Sequence, residues 1–105
     1  MMASNPRYQG KPFLRLLECY VLWAIGELSG KDADTLQAMT PKLQQIYGIQ
    51  GDWQAVVAAA MHLPPNMPSL VRSAWAKNIE IAQKQQATLT PQLFAEMFVD
   101  QNLVS

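Results

Sequence analysis

Charge is scarce in this chain. Charged residues make up 15% of the 105 positions, against about 25% in an ordinary soluble chain. Eight basic and eight acidic residues cancel to a net charge of zero. Such a surface lacks the attraction that nucleic acid or an anionic membrane requires, so neither is expected as a partner. Cys19 is the only cysteine, which excludes an internal disulfide and a Cys-rich zinc site. His62 is the only histidine, so no His-x-x-x-His or Glu-x-x-His ligand pair exists. Phosphate-cradling loops are absent as well: Gly48-Ile49-Gln50-Gly51 suits a helix connection better than a nucleotide. Strand-like alternation between turn signals is missing. A helix-turn-helix drawn across 32–63 would have a recognition helix without lysine or arginine. No cofactor is expected, and no metal: Glu27, Asp32 and Asp34 cluster where acidic side chains favour a helix N-terminus.

What the chain has in quantity is apolar surface, 50% of its residues, and glutamine. The densest stretch is Phe13 to Leu28, FLRLLECYVLWAIGEL. Apolar side chains point almost all round that helix, so it belongs at the centre of a bundle or on a seam between two copies. It is shorter than the roughly 20 residues of a membrane span and carries Arg15 and Glu18 inside it. The same charges spoil it as the apolar core of a signal peptide, which predicts a cytoplasmic protein.

Proline and glycine punctuate the rest. Pro12, Pro41, Pro68 and Pro91 read as first-turn prolines, where the missing N–H loses nothing. Thr40, Asp52 and Thr90 read as N-caps, and Gly30 and Gly48 as helix ends. Helices are predicted over 12–29, 32–47, 52–63, 68–87 and 91–103, the second broken near Thr40-Pro41. The expected fold is all-α: a compact bundle of five to six helices around a central first helix. A polar arm over 1–11, pinned by Tyr8, precedes one helical domain over 12–105. Leu17, Trp23, Trp53 and Trp75 are the expected anchors.

Two sets of residues are candidates for function. Arg15, Glu18, Cys19, Leu22 and Gly26 share about 100° of the first helix, with Arg15 and Glu18 spaced to pair at i, i+3. This strip reads as a homodimer seam or as a surface covered by the arm or the fifth helix. Met67, in the stiff Pro64-Pro65-Asn66-Met67-Pro68 connection, reads as a projecting apolar contact. The second set, Tyr20, Trp23, Trp75, Asn78 and Met97 with Phe94 and Phe98, would line a pocket between the first, fourth and fifth helices. Cys19 and His62 are the one available thiol–imidazole pair, and both read as structural. The expected role is a non-catalytic protein–protein interaction module that self-associates, its partner a second copy or another protein. A small-ligand binding protein or enzyme built on that pocket is the alternative.

Overall fold

The computed structural model describes residues 6–104; positions 1–5 of the predicted arm and Ser105 lie outside them. The described residues are all-α. A 3-10 turn, Pro6–Tyr8, leads into α1 (Pro12–Ala24), α2 (Gly30–Tyr47), α3 (Trp53–Ala60), α4 (Met67–Lys84) and α5 (Pro91–Phe98). A π-helical turn, Val99–Leu103, continues α5.

Central position follows from the apolar circumference of α1. Leu14, Leu17, Cys19, Tyr20, Val21, Leu22 and Ala24 are all buried. The 3-10 turn, α3, α4, α5 and the π turn pack around them. Val56 and Val57 from α3, Val71 from α4 and Val99 after α5 complete the centre with almost no exposed surface. Each such side chain contributes about 1.5–3 kcal/mol through burial. Leu17 and Trp53 serve as the expected anchors, at 2% and 4% exposure, whereas Trp23 stays 37% exposed.

Helix ends depart from the sequence reading in a consistent way. α1 stops at Ala24, because Gly26 adopts φ 75°. There the Glu27 N–H reaches Leu22 O at 2.9 Å and the Gly26 N–H reaches Trp23 O at 3.0 Å, the paired bonds of a Schellman ending. Gly26 is therefore a helix stop, not part of a packing seam. Gly30 opens α2 instead of closing α1. Ser29 is the cap, its Oγ accepting from the Asp32 N–H at 3.1 Å. α3 and α4 end by the same two bonds, but with His62 (φ 56°) and Gln86 (φ 55°) in the left-handed position. Gly48 closes α2, and Thr90 caps α5 through the Leu93 N–H, both as expected. Asp52 holds the N-cap position of α3 without a side-chain bond.

Pro41 does not break α2. The helix runs through it, leaving the Gln37 carbonyl without its usual i+4 donor. Thr40 is not a cap; its hydroxyl donates back to Leu36 O at 2.7 Å. α2 packs chiefly on the much shorter α3, and of its side chains only Leu36 and Thr40 are buried. In α4, Met67 and Val71 are buried, while Leu70 and Ile81 are exposed.

Candidate functional site

The middle of the strip on α1 is enclosed within the single chain. Glu18 has 0% exposure, Cys19 2% and Leu22 5%. Glu18 does not pair with Arg15. Its Oε2 accepts from Arg7 Nε at 2.6 Å, and its Oε1 accepts from Tyr8 OH and from Gln92 Nε2, the latter at 3.0 Å. Arg7 then reaches past Glu18 to the far end of the chain. Its NH1 donates to Asp100 Oδ2 at 2.8 Å, and its NH2 donates to Asp100 Oδ1 at 2.9 Å and to Glu96 O at 3.3 Å. Arg15 pairs with Asp32 at 2.7 Å, tying α1 to the start of α2.

Glu18 and Leu22 are thereby removed from the seam reading, since both are buried within the single chain and the arm and α5 cover Glu18; Arg15 keeps 38% of its side chain exposed and Gly26 faces open space. A charged carboxylate can be buried because three donors meet it. Glu18 stands in a helix otherwise apolar all round, which was itself a signal that a partner must come from elsewhere. Arg7 and Tyr8 in the arm were the nearest polar candidates.

Met67 does not project. It is 5% exposed and forms part of the core at the start of α4. The proposed pocket residues separate into two groups. Tyr20, Trp23 and Trp53 form an aromatic cluster with ring centroids 5.5–6.4 Å apart. The Gln54 amide oxygen accepts from both indole N–H groups, at 3.1 and 3.2 Å, its orientation assigned from that network. Trp75 instead meets Phe94 at 5.1 Å, and Phe94 meets Phe98 at 5.8 Å. Asn78 and Met97 do line a cavity with Phe94 and Phe98, but its volume is about 80 Å³. That space suits water; ligand pockets begin near 300 Å³. Asn78 satisfies itself by donating to Ala74 O at 2.7 Å.

Thiol chemistry finds no support in the geometry. Burial pushes the Cys19 thiol up to about 11, against a partial opposing pull from Arg15. It is protonated at neutral pH and enclosed, the opposite of a reactive thiolate. His62 is exposed at the end of α3, where its backbone completes the helix stop.

Exposed large apolar side chains include Leu70, Ile81, Leu93 and Met97, but α2 carries the most exposed of them, Ile46. Met39, Leu43, Ile46 and Tyr47 recur at i, i+4, i+7 and i+8, one continuous row. Met39 is 40% exposed, Tyr47 49% and Ile46 73%, with Leu43 half-buried among them; the start of α3 lies against the Gln37, Thr40, Pro41 and Gln44 flank instead. On another flank of α2, Gln37, Thr40, Pro41 and Gln44 recur at i, i+3, i+4 and i+7. They form one wall of an open groove of about 390 Å³, closed by Gly51, Asp52, Trp53 and Gln54. Among the described residues no helix is long and apolar enough to cross a membrane, and no group of three ligating side chains could hold a metal ion. No protein family, curated protein or solved structure matches this chain.

Proposed function

We propose that this protein is a non-catalytic interaction module that self-associates through the outward row of α2. The observation that carries the reading is the run Met39, Leu43, Ile46 and Tyr47, apolar and regularly spaced, with Met39, Ile46 and Tyr47 exposed and Leu43 half-buried. Exposed apolar rows of this kind mark association surfaces.

A second copy suits the row because the row is electrically neutral. Lys42 is the one charged residue between Asp34 and Asp52, and it lies at the edge of the row, so two copies meet without like-charge repulsion. A two-fold axis near Leu43, with the helices antiparallel, sets Met39 of each copy beside Tyr47 of the other. The buried thiol needs no oxidising compartment, which fits a cytoplasmic setting.

Sedimentation equilibrium tests the proposal. Wild type is expected to dimerise with rising concentration, and Ile46→Glu to remain monomeric with unchanged helical circular dichroism. A wild-type monomer throughout the accessible range overturns it.

A further inference from the structure

The groove between α2 and the start of α3 presents acceptors along its α2 wall, where internal bonds commit donors. Gln44 uses Nε2 on Gly51 O, so its Oε1 remains for a ligand. Thr40 uses its hydroxyl proton on Leu36 O, leaving the oxygen lone pairs. The Gln37 carbonyl lacks its helical donor because residue 41 is proline. Asp52 adds a carboxylate that makes no capping bond. Donors are confined to the Gln54 amide N–H₂, whose oxygen is held by two indoles, the side-chain amide of Gln37, and the first N–H groups of α3, which the Asp52 side chain does not cap.

Charge points the same way. No lysine or arginine lines the groove. The N-terminus of α3 carries about +0.5 of an elementary charge, which the full negative charge of Asp52 outweighs. Anionic ligands therefore meet net repulsion from Asp52, whereas a cation rich in N–H donors meets that carboxylate and the acceptors of the α2 wall. A volume of about 390 Å³ lies within the range of small-molecule sites.

We propose that this groove is a binding site for a small organic cation bearing an ammonium or guanidinium group. The cationic head lies against Asp52, Gln44 Oε1 and Thr40 Oγ1, and the rest of the molecule runs along Pro41 toward Gln37. This site occupies a different flank of α2 from the Met39–Ile46 row, so it stands or falls independently of self-association.

The test is a titration of the ¹⁵N-labelled full chain with putrescine and agmatine as free cations. Nα-acetyl-lysine amide serves as a peptide-borne ammonium, glutarate as an anion and glucose as a neutral polyol. Saturable shifts confined to the Gln37, Gln44, Gly51 and Gln54 amides with the cations, and absent with glutarate and glucose, support the site. The tighter of putrescine and acetyl-lysine amide then identifies the source of the cation. Asp52→Asn keeps a competent N-cap residue and leaves the fold intact; it should weaken binding about tenfold, the scale of a charge-assisted bond. Ile46→Glu should leave the titration unchanged. Absence of saturable shifts at millimolar cation overturns the proposal, as does equal response to glutarate or indifference to Asp52→Asn.

Discussion

Arg7 Nε lies 2.6 Å from Glu18 Oε2, the oxygen of a carboxylate with no exposed surface. Because the other two nitrogens of the guanidinium hold Asp100 and the Glu96 carbonyl, one side chain joins the arm, the central helix and the last helical turn. The planar fork of arginine makes this possible; a lysine would offer a point charge to one partner. Removing Arg7 strands Glu18 without its counter-charge. Arg7→Ala is expected to lower unfolding stability by about 3 kcal/mol, the low end for breaking a buried pair because Arg7 itself is partly exposed. Urea denaturation measures it, and a double-mutant cycle with Glu18→Ala should give a coupling above about 1 kcal/mol. Additive losses would mean that the pair contributes little as a pair.

Acid should loosen the same junction. The hydrogen bonds from Arg7, and secondarily its charge, hold the Asp100 carboxyl below its ordinary value of 3.8. A carboxyl lowered on folding contributes stability that is fully present above its unfolded pKa. That contribution is lost as pH falls through the folded value. Urea midpoints of wild type should therefore decline below pH 3.8, and Asp100→Asn should remove part of that decline. The side chain is about half exposed, so added salt should shrink the difference. A decline identical in both proteins would assign it to other carboxylates.

His62 and Gln86 occupy left-handed positions that glycine fills at the end of α1. The conformation costs about 1–2 kcal/mol in a residue with a Cβ, partly offset by the greater freedom glycine loses on folding. His62→Gly and Gln86→Gly should each stabilise by about 0.5–1 kcal/mol, raising the melting temperature by a few degrees. Both side chains are exposed, so little packing is sacrificed. Calorimetry showing a fall in either variant would contradict the assigned helix endings.

Leu22 and Ile46 separate the core from the proposed association surface. Leu22 is 5% exposed and Ile46 73%. Leu22→Glu buries an unpaired charge and should abolish cooperative unfolding, seen by circular dichroism. Ile46→Glu places its charge in water and should keep the wild-type melting curve of the monomer. A folded, helical Leu22→Glu protein would place α1 at the surface.

Much of the architecture was legible locally. The prolines at 12, 68 and 91, the Thr90 cap and Gly48 located helix boundaries because capping and first-turn chemistry act within four residues. The all-round apolar character of Phe13 to Leu28 located the centre. Pro41 misled, since a helix tolerates one missing N–H when its lost carbonyl partner faces an open groove. Gly26 and Gly30 exchanged roles because two glycines four residues apart both satisfy the stop signal; the Ser29 cap decides between them. Met67 and Leu22 misled for another reason: residues at the same helical spacing project or are buried according to what arrives from elsewhere in the chain.

Sequence alone determined that the chain folds as helices about an apolar first helix. Periodicity, capping and composition are properties of neighbours along the chain. Tertiary structure alone decided that Glu18 is held by Arg7 and Tyr8. It also decided that the aromatic residues form two clusters instead of one pocket, and that α2 is left partly bare. Each of these depends on which distant segments meet, and such distances are not written in local pattern.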